Sequence, residues 1–152
     1  MRPTYIVDID GTLANIDHRL HYVRTEPKNW KAFELGYVFD DPNMAVVHIV
    51  HALFNSLQFN IVIMSGRMGT KQGRDDTIAW LEEHKIPYHA LYMREDQDFR
   101  PDNEVKKDLL NQMYRDGYGK VLAVFDDRKR VVDMWREQGI FVFDCNQSGE
   151  EF

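Results

Sequence analysis

The chain has 152 residues, 43% of them hydrophobic and 29% charged, with a net charge of −6 and one cysteine, Cys145. That length suits one folded unit with a sizeable core, and a lone cysteine excludes an internal disulfide and fits a reducing cytoplasm. The acidic balance excludes a protein that wraps a long polyanion, yet leaves room for one phosphate or strand end in a local basic pocket. No apolar run is long enough to cross a bilayer, and the N-terminus does not read as a secretion signal.

Short β-branched or aromatic runs predict strands at Tyr5–Ile9, Phe59–Met64, Tyr88–Met93, Val121–Phe125 and Ile140–Phe143. Between them lie segments with helical spacing. "DDPNMAVVHIVHALFNSLQ" offers Asp41 as N-cap and Pro42 as the first helical residue, with Val46, Ile49, Val50, Leu53 and Leu57 as the buried stripe. "DDTIAWLEEHKI", "DNEVKKDLLNQMYRDGYG" and "DRKRVVDMWREQG" read likewise, the last two closing at Gly117 and Gly139. Strands alternating with helices predict an α/β, Rossmann-like fold, a mostly parallel sheet flanked by helices. Two segments break the alternation. Residues of about 18–41, after the first strand, are too long for a simple connection and are expected to form a small cap within a single 1–152 domain. The basic, glycine-rich "GRMGTKQGRDD" after the second strand is expected to be a binding loop.

Ligands of open parallel sheets sit beyond the carboxyl ends of the strands. The first strand ends in "DIDGT", with Asp8, Asp10, Gly11 and Thr12; the second in "SGR", with Ser65, Gly66 and Arg67. Lys106 opens the helix after the third strand, and the fourth ends in Asp126 and Asp127. Clustered carboxylates with oxygen-only partners suit a hard cation, Mg²⁺. Lys107 competes with Lys106 for the inward position. Arg74, Arg94, Arg100, Lys129 and Arg130 are expected to face solvent, as are His48 and His51; Val131, Val132, Met134 and Trp135 are expected in the core.

The four elements, in this order, resemble the haloacid-dehalogenase-type phosphohydrolases. Arg19, "SGR", Val105–Lys106 and "DDRKRVVDMWREQG" are similar, in particular, to the 3′-phosphatase domain of bacteriophage polynucleotide kinase-phosphatases. No GxxxxGK[ST] kinase loop is present. The resemblance implies a HAD-type sheet and an Mg²⁺-dependent phosphomonoesterase acting through an aspartyl-phosphate. Asp8 would be the nucleophile, Asp10 the acid and base, and Lys106 the catalytic cation. Thr12, Arg19, Ser65, Gly66 and Arg67 would bind substrate. Asp8, the Asp10 carbonyl, Asp126 and Asp127 would hold the metal. Metal and lysine charge would offset the repulsion between Asp8 and Asp10.

The implied substrate is a 3′-phosphorylated DNA or RNA end. A free nucleotide or other small phosphomonoester is the alternative, because the cap segment is longer than in the kinase-linked form. A phospho-receiver domain shares an acidic cluster and a lysine but lacks DxDGT. Trp30 and Phe33 could pack the cap onto the body or stack on a base.

Overall fold

The computed structural model describes residues 1–149. Five strands form one parallel sheet: β1 (Thr4–Val7), β4 (Asn60–Gly69), β5 (Ala90–Glu95), β6 (Val121–Asp126) and β7 (Phe141–Asp144), in the order β5-β4-β1-β6-β7. The first strand lies at the centre, so Asp8 emerges in the middle of the carboxyl edge. Two further strands, β2 (Ala14–Asn15) and β3 (Asp41–Pro42), pair antiparallel at the base of the cap segment.

Thr4, Ile6 and Val7 of β1 and residues 61–65 of β4 are buried, as expected of a sheet covered on both sides. Ile6, Val62, Met64 and Val124 join α5 (Asp102–Arg115) and α6 (Lys129–Glu137) in one core layer, through Leu109, Leu110, Met113 and Trp135. Val7, Ile61, Ile63 and Phe125 face the other way, onto α3 (Met44–Asn55) and α4 (Lys71–Glu83), through Val46, Val50, Trp80 and Leu81. Trp135 is completely buried; truncating it to alanine costs about 3–5 kcal/mol. Gly117 and Gly139 have positive φ (96° and 76°) just past α5 and α6, the left-handed exit expected there.

Three elements depart from the sequence reading. Helix α3 starts at Met44 with Asn43 as N-cap, because Asp41 and Pro42 are taken by the ribbon with β2. Its buried stripe is Val46, Val47 and Val50; Ile49 and Leu57 are 47% and 65% exposed. The glycine-rich stretch is not a loop: β4 runs through it to Gly69, with a register shift between Ser65 and Met68, and Thr70 caps α4 at Gly73. Its glycines serve close approach, since a Cβ on Gly69 would strike the Arg94 carbonyl and one on Gly73 would lie 2.5 Å from the Met68 carbonyl.

Between β2 and β3 the chain forms two 3-10 turns, Asp17–Arg19 and Gly36–Phe39, and two short helices, α1 (His21–Arg24) and α2 (Trp30–Leu35). Ile16, Leu20, Val23 and Phe33 make their own small core. No helix of the described residues is long and apolar enough to cross a membrane.

Candidate active site

The carboxyl edge of the sheet brings Asp8, Lys106, Asp126 and Asp127 together. Lys106 is 3% exposed, whereas Lys107 faces solvent, so Lys106 is the inward lysine. Its Nζ donates to Asp8 Oδ1 at 2.8 Å and Asp126 Oδ2 at 2.9 Å. Thr12 Oγ1 donates to Asp8 Oδ2 at 3.1 Å, and the buried Trp135 Nε1 donates to Asp126 Oδ2 at 3.2 Å. Asp8, Asp126 and Asp127 each offer an oxygen within 4.8 Å of the others. Gly11, at φ 81°, is required here because a Cβ would overlap the Asp127 carboxylate.

Three buried carboxylates around one ammonium are short of positive charge. Burial, then the Asp126 charge, push the Asp8 carboxyl up to about 7 against the pull of Lys106. Burial, then Asp8 and Asp126, push Asp127 up to about 10. Burial works to discharge Lys106, but Asp126 and Asp8 hold its ammonium above the usual range. A dication among these oxygens would relieve both carboxylates, so the donor set fits Mg²⁺ in chemistry and in charge.

Asp10 has a different environment. The lysine does not reach it; Arg19 and Arg67 neutralise it instead. Arg19 Nη2 donates to Asp10 Oδ1 at 2.6 Å, and Arg67 donates through Nη2 at 2.7 Å and Nε at 3.0 Å. Burial opposes them, but Arg67 and then Arg19 hold the Asp10 carboxyl well below the usual carboxylate range. Both arginines are also tied behind Asp10. Arg19, 1% exposed, grips the buried Asp40 through Nε at 2.9 Å and Nη2 at 2.7 Å, donates to the Phe33 carbonyl and lies on the Phe33 ring. Arg67 donates to Thr77 and rests 4.3 Å from the centre of the Tyr37 ring. Expected to clasp the substrate phosphate, the two arginines are found clasping Asp10.

Ser65 is buried, with Oγ accepting from Arg67 N at 3.1 Å, and Gly66 turns the chain beside Asp102. Arg94, expected at the surface, is 8% exposed and donates to the carbonyls of Gly66, Asp98 and Arg100 and to Asp102. Asp102 in turn accepts from Arg128, the residue after Asp127. One buried guanidinium thus joins the Ser65–Gly66 turn to the helix of Lys106. Asp40 and Arg94 were missed as site residues. Both pair across the fold, Asp40 with Arg19 and Arg94 with Asp102, and nothing local marks them. The Lys106 orientation did have a signal: Val105, Lys106, Leu109, Leu110 and Met113 fall on one helical face.

This fold and site define a haloacid-dehalogenase-type phosphatase domain. Residues 2–150 match the family model of the polynucleotide kinase PNKP phosphatase domain, and the chain belongs to that family. It is 33% identical over 133 residues to a protein of Autographa californica nuclear polyhedrosis virus assigned as a bifunctional polynucleotide kinase/RNA ligase; the match covers 87% of this chain and 17% of that one. It also resembles a chain of the Pnkp1/Rnl/Hen1 RNA repair complex, with a TM-score of 0.77 and 30% identity over 95% of this chain and 42% of that chain. A haloacid-dehalogenase family enzyme from Bacteroides thetaiotaomicron, solved as a magnesium complex, shares the fold at a TM-score of 0.58 and 12% identity, covering 99% of this chain and 96% of that chain. The chain thus spans less than half the length of the viral and RNA-repair relatives.

Proposed function

We propose that this domain is an Mg²⁺-dependent phosphomonoesterase that removes the 3′-phosphate from polynucleotide ends through a phosphoryl group carried on Asp8. The observation that carries the reading is the division of charge at the sheet edge: a cation-poor cluster around Asp8 beside a cation-rich clasp on Asp10. Its family, and the polynucleotide-repair proteins it resembles, support the strand-end substrate.

Asp8 attacks phosphorus in line, and the alkoxide of the leaving nucleoside takes a proton from Asp10. Asp10, now a carboxylate, draws a proton from the water that cleaves the Asp8 acyl phosphate, releasing inorganic phosphate and restoring the Asp8 carboxylate and the protonated Asp10 that began the cycle. Lys106 holds Asp8 oriented through Oδ1 and counters the charge of the phosphoryl oxygens, as does the Ser65 hydroxyl. Asp8, the Asp10 carbonyl, Asp126 and Asp127 would hold Mg²⁺, which would supply the charge neutralisation this acidic pocket lacks. Arg19 and Arg67 hold the Asp10 carboxylate and favour its ionised form, the form that acts as the base. For Asp10 to act as the acid, one guanidinium has to loosen, and the arriving phosphate is an anion able to draw Arg67 forward.

A substrate panel in Mg²⁺ tests the reading: a 3′-phosphorylated oligonucleotide, its 5′-phosphorylated counterpart, 3′- and 5′-mononucleotides and an aryl phosphate. The 3′-phosphorylated strand is expected to be the best substrate. A strong preference for free 5′-mononucleotides would contradict it and favour a small-molecule phosphatase.

A further inference from the structure

A strand whose terminal phosphate is held at the sheet edge needs further cations for its next phosphodiesters. The outer face of the cap segment supplies them. Residues 20–33 carry Arg24, Lys28 and Lys31 against one acid, Glu26, in a chain whose net charge is −6. Lys28 and Lys31 are exposed and form no ion pair among the described residues. Lys28 Nζ lies 5.8 Å from the centre of the Trp30 ring, and Trp30 is 40% exposed. The inner ring of the cap, Phe33, is by contrast packed on Arg19.

Helix α2 runs toward the site: the Phe33 carbonyl accepts from Arg19, and Tyr37, just beyond the helix, lies against Arg67. Phe33 is tied to the site by its ring as well, which lies on Arg19, and Trp30 meets that ring edge-on with centres 5.8 Å apart. One ring, Phe33, therefore separates the exposed Trp30 indole from Arg19, with Lys28 over that indole and Lys31 next to it in the chain. Exposed rings beside cations are how proteins hold single strands without reading sequence, the base stacking and the backbone pairing with the cation.

We propose that Lys28, Trp30 and Lys31 form a docking surface for the single strand next to the 3′-terminal phosphate. The surface takes the penultimate nucleotides, with a base on the Trp30 indole and phosphodiesters at Lys28 and Lys31. This rests on the strand-end reading above and adds where the strand lies.

The test compares wild-type protein with Trp30→Ala and with Lys28→Glu/Lys31→Glu. Each is assayed on a short 3′-phosphorylated oligothymidylate, thymidine 3′-monophosphate and an aryl phosphate. Each variant is expected to lose about tenfold in kcat/KM on the oligonucleotide, the size of one lost base stack. On the two small substrates it stays within about twofold, a control that also reports folding. The salt dependence on the oligonucleotide should flatten in the lysine variant by about 1.4 in log–log slope, roughly 0.7 for each phosphate contact on a single strand. If wild type cleaves the oligonucleotide well and both variants match it, the docking surface is wrong and the 3′-end reading stands. Equal losses on all three substrates also overturn the surface. If wild type hydrolyses the aryl phosphate but spares the 3′-phosphorylated strand, the 3′-end reading fails and the surface with it.

Discussion

Two charge clusters meet at the carboxyl edge of this sheet, and they are built on opposite terms. Around Asp8, three buried carboxylates share one ammonium, and two of the three are pushed toward their neutral forms. Around Asp10, two carboxylates meet two guanidiniums, Arg19 and Arg67, with His18 adding a contact to Asp40 at 2.6 Å. The second cluster is electrically complete without help. The first is not, and its donor set fits a hard cation. Two neighbouring aspartates, spaced alike in the sequence, thus take different parts through the company they keep.

The largest expected effect is at the nucleophile. Asp8→Asn should cut turnover by about a thousandfold or more while leaving a folded protein, since the amide neither attacks nor binds metal well. Appreciable single-turnover hydrolysis by the purified variant would refute the covalent route.

Removing a cation from each cluster should sharpen the contrast. Arg19→Met strips the buried Asp40 of its clasp and is expected to cost about 3–5 kcal/mol, whether or not Mg²⁺ is present. Lys106→Met should also destabilise the protein in EDTA, but Mg²⁺ should restore much of the loss. Chemical denaturation in both buffers measures this. Equal Mg²⁺ rescue of the two variants would erase the distinction between the clusters.

The pH dependence has a definite sign. Asp8 and Asp127 have folded-state values of about 7 and about 10, above the ordinary 3.8. A group raised in this way favours the folded state at low pH, and that contribution is lost as pH rises through its folded value. Without metal, stability should therefore decline from about pH 4 upward, through 7 and toward 10. Mg²⁺ removes the penalty, so the melting temperature should rise more on adding it at pH 8 than at pH 5. At a hundredfold excess over its dissociation constant the gain is about 2.7 kcal/mol. An equal shift at both values would show that the carboxylates do not bind the ion as a charged set.

The smallest effect is expected at Arg94. Lysine keeps the charge but cannot reach Gly66, Asp98, Arg100 and Asp102 together. Arg94→Lys should raise KM several-fold for every phosphomonoester, with a smaller change in kcat, because it loosens the Ser65–Gly66 turn rather than the chemistry. A loss confined to stability would make Arg94 structural alone.

Most of the fold could be read from the sequence because the strands are short apolar runs and the helices carry one clear stripe. The acidic cluster was legible for a related reason: a parallel sheet brings its strand ends to one edge, so linear order becomes proximity. What escaped is what depends on the third dimension. Gly66, Gly69 and Gly73 read as loop formers, yet each is there to admit a neighbouring atom into a strand or helix start. Asp40, one residue before the expected cap Asp41, carried no signal of its own and is a buried partner for an arginine 21 residues earlier. Arg19 and Arg67 were read as crevice residues, but their contacts with Asp10 were not, because sequence carries no sign of which carboxylate a guanidinium will meet.

The central claim is that the charge deficit around Asp8, and not the acidic pair Asp10–Asp40, is the cation site. Crystals soaked in Mn²⁺, a scattering substitute for Mg²⁺, would locate the ion by its anomalous signal. The account predicts a peak bonded to Asp8 and Asp126, close to Asp127, with no density between Asp10 and Asp40. A peak at the arginine-bound pair, or an Asp8 cluster still empty at saturating Mn²⁺, would contradict it.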